Sequence, residues 1–239
     1  MIKVDNLVKT FGPKVAVNRI SFEVERGEVL GFLGPNGAGK STTMRMITGF
    51  IPPTDGIITV GGHSIVENPI PAKRLIGYLP ENAPAYPDMT VKGFLSFTAE
   101  IRGLRGSERN KAIDRVVELC FLESVIHQSV DTLSKGYRHR TCFAQSIIHD
   151  PDIIVFDEPT TGLDVMTSRA IIELIRNSKE EKKTIIFSSH RMEEVQSLAD
   201  DIGVIYNGEM IFCDSKENFE SQMESNSYDD SLIKMISSS

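Results

Sequence analysis

Cysteine is scarce in this chain. Cys120, Cys142 and Cys213 are the only three in 239 residues. They stand far apart, with neither metal-ligand spacing nor a disulfide framework, which suits a reducing compartment. Each reads as a small buried apolar residue. Long apolar runs are missing too: none approaches the roughly 20 residues that a membrane helix needs. The segment MIKVDNLVKTFG alternates like a strand and has no signal-peptide apolar region, so a cytoplasmic location is expected. A membrane-bound partner stays compatible with that. Positive charge is also in short supply. The formal net charge is −7, which excludes any general attraction for nucleic-acid phosphates, and no nucleic-acid partner is expected. The guanine-reading pattern N-K-x-D is absent, which argues against a GTPase.

What is present is ordinary for a globular protein: 40% hydrophobic and 25% charged residues, in a chain long enough to bury a substantial core. MIKVDNLVKTF and AVNRISFEVERGEVLGFLG alternate with period two and read as strands, broken at Gly12-Pro13 and Gly27. STTMRMITGF reads as a short helix, PPTDGIITVGG as a turn and strand, and RLIGYLPE as a buried strand. After the Pro-rich ENAPAYPDMT the apolar spacing becomes helical, with helices in VKGFLSFTAEIRGL, RNKAIDRVVELCFL and YRHRTCFAQSIIHD, the last ended by Asp150-Pro151. DIIVFDE and KTIIFSS are short β-branched runs of the kind found in parallel strands buried on both faces, and VMTSRAIIELIRNSKE and RMEEVQSLADD are the helices after them. IGVIYNGEMIFC reads as a hairpin turning at Asn207-Gly208. The expected organisation is one domain over residues 1–219, with an α/β core of 1–81 and 151–219, a helical subdomain of 82–150, and a loose polar tail of 220–239.

One stretch raises a question. DTLSKGYRHR places small residues and a run of cations at the start of a helix, in the middle of an acidic chain. That start is either a plain N-cap or a helix end waiting for a phosphate.

A phosphate-binding loop stands elsewhere. Gly34, Pro35, Asn36, Gly37, Ala38, Gly39, Lys40 and Ser41 match G-x-x-x-x-G-K-[ST], between a strand and a helix that continues through Thr42. Glycines let backbone N–H groups converge on phosphate oxygens, and the helix N-terminus adds positive potential. Lys40 is expected to neutralise the β- and γ-phosphates, and Ser41 to ligate Mg²⁺. IIVFDEPTTGLD ends a strand in Asp157, expected to hold Mg²⁺, and Glu158, expected to orient or deprotonate the attacking water. His190 follows the next strand, where a neutral imidazole would bridge γ-phosphate and water. The remaining histidines, His63, His127, His139 and His149, read as surface or packing residues. Phe11, in the turn after the first strand, is placed to stack on a base.

In order, GPNGAGKST, LSKGYRHR, IIVFDEPTTGLD and SSH resemble the ATPase subunits of ABC transporters, over about Met1 to Phe219. That resemblance implies a P-loop NTPase fold: an α/β core with a parallel sheet, an antiparallel β subdomain on the N-terminal side and an inserted α-helical subdomain. It implies ATP and Mg²⁺ as cofactors, a membrane-spanning permease subunit as partner, and a position on the inner face of the cell membrane through that permease. It also implies a second ATPase subunit, expected to be another copy of this chain, packed head to tail with ATP between the two. Ser134, Lys135, Gly136 and Tyr137 would then cap the γ-phosphate held by the partner, and Asp164 would sit in the loop that crosses to it. Lys135 stands where Gly is usual and Tyr137 where Gln is usual, in a form similar to the exporter-type (ABC-2) branch. Glu81 replaces a usual Gln and is carried as a Mg²⁺ or water contact. The expected function is ATP hydrolysis that powers export. The alternative is a nucleotide-gated regulatory module with little turnover. Pro84, Ala85, Tyr86 and Pro87 are expected to form an apolar rim for the permease.

Overall fold

The structure is a computed structural model that describes residues 1–82 and 85–222. Strands β1 (Ile2–Phe11) and β2 (Lys14–Val24) form an antiparallel pair closed by the Gly12-Pro13 turn. Strand β3 (Val29–Leu33) leads through the glycine loop into helix α1 (Lys40–Ile47). Gly49, at φ +65°, ends that helix in the left-handed conformation that glycine adopts without strain. β4 (Asp55–Val60) returns to pair with β1, and the short β5 (His63–Ser64) extends that sheet. The first sheet is therefore antiparallel, in the order β2-β1-β4-β5.

Helix α2 (Pro69–Arg74) and strand β6 (Ile76–Leu79) follow, then three helices: α3 (Val91–Ile101), α4 (Gly106–Leu119) and α5 (Lys135–Ile147). The chain continues as β7 (Ile153–Asp157), α6 (Val165–Glu180), β8 (Thr184–Ser189), α7 (Met192–Leu198), β9 (Asp201–Tyr206), β10 (Glu209–Ser215) and α8 (Lys216–Ser221). The second sheet runs β10-β9-β3-β8-β7-β6. Its β9, β3, β8, β7 and β6 are parallel, and β10 folds back antiparallel on β9. Asn207 and Gly208 both take positive φ at that hairpin, as a type I′ turn requires.

Two expectations about local pattern need correction. Period-two alternation does not extend into β3, where all five residues are buried. A parallel strand between helical layers has no solvent face, so it reads as a continuous apolar run, as β7 does. The loose tail does not begin at Glu220, because Glu220 and Ser221 stand in α8, capped by Ser215 Oγ accepting from Asn218 N. The rest of the expected tail, 223–239, and Pro84 lie outside the described residues.

The three middle helices share their core with the parallel sheet. Phe94, Leu95, Ile113, Val116 and Phe143 join Phe156 and Phe187 in one buried cluster. Phe143 of α5 stacks on Phe156 of β7 with ring centroids 5.1 Å apart. Gly77 of β6 allows α5 to come close, since a Cβ there would lie 2.3 Å from the Ser146 carbonyl oxygen. These contacts fix α5, and with it the SKGY segment, against the sheet that carries Asp157.

Candidate active site

The loop after β3 is shaped by backbone crowding. A Cβ on Gly34 would lie 2.2 Å from the Ile205 carbonyl oxygen, and one on Gly39 would lie 2.7 Å from that of Ala16. Gly37 has open space but takes φ +83°. The loop therefore needs glycine for two different reasons, close approach and left-handed backbone. No side chain caps α1, and its first turn carries no acidic residue, which leaves that helix start open to an anion. Lys40 curls back over the loop. Its ammonium donates to the Gly34 carbonyl across 2.6 Å and to that of Pro35 across 3.2 Å.

Asp157 ends β7 fully buried. Its Oδ1 accepts from Ser41 Oγ at 2.9 Å and Ser188 Oγ at 2.8 Å. Oδ2 is buried with no hydrogen-bond partner among the described residues. Burial pushes this carboxyl above the usual range, against the two hydroxyl donors. A buried carboxylate oxygen left open beside a serine hydroxyl is the oxygen-donor chemistry that suits Mg²⁺. The residues present thus fit that ion.

Glu158 is held in an unusual backbone state, φ +51°. Such a turn costs roughly 1–3 kcal/mol for a non-glycine residue. Its N–H donates to Ser188 Oγ. Its Oε2 accepts from Thr161 Oγ1 at 2.9 Å and lies 2.8 Å from His190 Nδ1. Its Oε1 has no hydrogen-bond partner among the described residues and lies 3.3 Å from the Lys40 ammonium. Burial raises the Glu158 carboxyl, but the His190 and Thr161 hydrogen bonds and the Lys40 charge outweigh it and hold it below the ordinary value. With Glu158 ionised, His190 Nδ1 carries the hydrogen and donates.

Phe11, Asn36, Gly37, Gly39, Lys40, Ser41, Thr42, Glu81, Glu158 and His190 all border one cleft of about 340 Å³, where Lys14, Ala16 and Thr161 join them. Phe11 is half-exposed at its edge, with the Lys9 ammonium 5.2 Å over its ring. Gly34, Pro35 and Ala38 do not border it: Gly34 and Ala38 are buried, and the exposed Pro35 supplies a carbonyl to Lys40.

The SKGY segment is not part of that cleft. Ser134 caps α5, its Oγ accepting from Tyr137 N at 3.3 Å. Lys135 donates to the Gly162 carbonyl at 2.5 Å. Gly136 lies against Thr167, whose Oγ1 a Cβ would approach to 2.8 Å. Thr167 donates from N and Oγ1 to Asp164, the N-cap of α6, and these bonds keep the Asp164 carboxyl low. The other cations of the segment are largely occupied within the chain. Arg138 donates to the Asp131 carbonyl, and Arg140 donates to that of Phe121 while lying 4.2 Å from the Tyr137 ring. Tyr137 OH meets Ser124 Oγ at 3.3 Å. In a single chain, then, the SKGY segment and the TGLD loop contact each other, apart from the phosphate loop.

Residues 17–161 match the family model described as "ABC transporter". The chain belongs to the ABC transporter family. It is an ATP-binding subunit of that family and an ATPase. It is 42% identical to the "ABC transporter ATP-binding protein NatA" of Bacillus subtilis (strain 168), over 87% of this chain and 85% of NatA. It is 38% identical to the "Linearmycin resistance ATP-binding protein LnrL" of the same organism, over 93% of this chain and 72% of LnrL. Among solved structures it resembles an "ATP binding subunit of ABC transporter" with a TM-score of 0.89, 24% identity and 99% coverage of both chains. The ABC subunit thus has the expected P-loop fold.

Sequence reasoning missed three residues here. Ser188 bridges Asp157 and Glu158, Thr161 holds Glu158, and the buried Glu194 accepts from Thr160 and Ser189. The signal for Ser188 was two hydroxyls closing an otherwise apolar strand, FSS.

Proposed function

We propose that this ABC subunit hydrolyses ATP at the interface of a head-to-tail dimer and so drives export through a membrane permease. The observation that carries the reading is the Glu158–His190 hydrogen bond of 2.8 Å beside Lys40, in the cleft that holds the phosphate loop. An intact acid–imidazole pair favours turnover over a gating module that only binds.

Phe11 would stack on the adenine. The phosphate-loop N–H groups and the Lys40 ammonium would take the β- and γ-phosphates, Lys40 exchanging its loop carbonyls for phosphate oxygens. Ser41 and Asp157, with Glu81 at the cleft, would hold Mg²⁺, whose charge offsets that of the phosphates. The open Oε1 of Glu158 would orient the attacking water and accept its proton, as the bond from the γ-phosphorus to the bridging oxygen breaks to give ADP and phosphate. His190 Nδ1–H keeps Glu158 ionised, and Nε2, an acceptor in that tautomer, would take a hydrogen bond from water at the cleft.

Ser134–Tyr137 do not border the cleft that holds their own phosphate loop, which supports their use on a partner's nucleotide. Ser134, Lys135, Gly136 and Tyr137 would close on that γ-phosphate, with Asp164 in the crossing loop. For the permease, an apolar cleft lies between the end of α1, β6 and α3, lined by Phe50, Tyr86, Phe94, Phe97 and Ile101. Phe50 and Ile101 are about 70% exposed, and exposed apolar side chains grouped at a cleft suit a protein partner. The described residues include no helix long and apolar enough to cross a membrane, so a permease would supply the membrane attachment on the cytoplasmic face.

The test is the solution mass of the E158Q variant with and without ATP, by light scattering. An ATP-dependent dimer supports the reading. A monomer that binds ATP would mean closure needs the permease or a different ATPase chain. Failure to bind ATP would overturn it.

A further inference from the structure

A buried carboxylate stands behind the His190 loop with no part in the chemistry above. Glu194 lies in the first turn of α7 and is only 6% exposed. Its Oε1 accepts from Thr160 Oγ1 at 2.7 Å and from Arg191 Nη1 at 2.9 Å. Its Oε2 accepts from Ser189 Oγ at 2.8 Å, and Ser189 Oγ in turn accepts from the Arg191 N–H at 3.0 Å.

Burying a carboxylate is costly unless donors surround it. The helix dipole gives no reason for the burial, since Glu193 beside it offers the same charge to the start of α7 from a more exposed position. What the burial does achieve is geometric. Ser189 and Arg191 flank His190, and both are tied to Glu194. Thr160 follows Glu158 by two residues on the loop that bends at positive φ, and it is tied to the same carboxylate. Glu194 itself rides on a fixed base. α7 presses on β3 at Gly31, where a Cβ would lie 2.8 Å from Val195 Cγ1.

We infer that Glu194 is a positioning residue that clamps the two loops so that His190 Nδ1 stays within hydrogen-bond reach of Glu158. This rests on the reading that the Glu158–His190 pair carries hydrolysis. Glu194 does not border the nucleotide cleft. It acts by holding the loop after β8 and the loop after β7 at a fixed separation.

The test is a double-mutant cycle on the purified chain, comparing E194Q, H190A and the double variant by kcat, KM for ATP and melting midpoint. Gln keeps the volume of Glu194, but its amide turns one acceptor into a donor facing the Ser189 or Thr160 hydroxyl. E194Q is expected to lower kcat about tenfold, within the hundredfold that a 1 Å misplacement costs, with KM changed less than about twofold. In the H190A background E194Q is expected to cost nothing further, because the group it positions is gone. Multiplied losses in the double variant, or an unchanged kcat in E194Q, would overturn the positioning role while leaving the Glu158–His190 reading intact. An unchanged kcat in H190A would overturn both. If E194Q does not fold, S189A and T160V each remove one donor and carry the same cycle with the same criteria.

Discussion

Ser41 donates its hydroxyl hydrogen to Asp157 Oδ1 across 2.9 Å, although the two residues are 116 positions apart in the chain. One stands in the first turn of α1 and the other at the end of β7, and the parallel sheet brings both to its carboxyl edge. That edge is where an open α/β sheet forms its ligand crevice. The contact joins the phosphate loop to the carboxylate whose second oxygen has no hydrogen-bond partner among the described residues.

The first prediction concerns the metal. D157N should keep the Ser41 and Ser188 hydrogen bonds through its amide oxygen but lose the charge that holds Mg²⁺. ATP with Mg²⁺ should raise the melting midpoint of the native chain, by an amount that grows with ligand concentration. In D157N the Mg²⁺-dependent part of that rise should vanish and kcat should fall at least about a hundredfold. A full Mg²⁺ response in D157N, measured by scanning fluorimetry, would refute the assignment.

Lys135 has an in-chain partner, the Gly162 carbonyl, and a proposed partner in trans. An exposed bond of this kind contributes about 0–1 kcal/mol to stability. K135A should therefore melt within a few degrees of the native chain and bind ATP unchanged as a monomer. Its ATP-dependent dimer, observed in the E158Q background by light scattering, should weaken about tenfold, as the loss of one charge-assisted hydrogen bond implies. An unweakened dimer would leave Lys135 as an in-chain tether only.

Stability should fall with acid through two half-buried imidazoles. Burial lowers the pKa of both His139 and His149 to about 4, with Lys135 and Arg102 respectively adding to it. The folded values lie below the unfolded 6.5, so the unfolded chain binds more protons between the two. Stability is thus full above pH 6.5 and is lost as pH falls toward 4. Asp157 works in the opposite sense, since its raised value relieves a buried charge on protonation. H149Q should flatten the pH dependence of the urea midpoint between pH 7 and pH 5. An unchanged slope would show that His149 is not buried neutral.

Tyr86 lies edge-on to Phe94 and Phe97, with centroids 5.9 and 5.5 Å away, and is 54% exposed. Y86E should place a charge in the apolar cleft and abolish co-purification with the permease. ATP affinity of the isolated chain should stay within about twofold, because Tyr86 lies outside the nucleotide cleft. Retained co-purification would move the docking surface elsewhere.

Much of this protein was legible in its sequence, because short motifs encode local geometry. GPNGAGKS between an apolar strand and a helix dictates an anion loop, since only glycine accepts the crowding at Gly34 and Gly39. The β-branched runs ending in Asp157 and Ser189 dictate buried parallel strands, and Asn207-Gly208 dictates the hairpin. Other features need the assembled chain. The positive φ of Glu158 follows from no residue preference; Ser188 and His190 hold that turn from a second strand and its loop, and Thr161 holds it from three residues further on. The cations of SKGYRHR looked like a phosphate trap, yet Arg138 and Arg140 serve backbone carbonyls that only the packing of α5 brings near. Glu194 stands at a helix start, and its burial depends on three donors, one from another loop. Sequence alone determined which elements form and which residues stand as candidates for the chemistry, because propensity and spacing are local. Tertiary structure decided which oxygen of Asp157 is open, which oxygen of Glu158 faces Lys40, and that the SKGY segment lies apart from its own phosphate loop. Those outcomes depend on hydrogen bonds between residues far apart in the chain, and their partners exist only after the sheet has assembled.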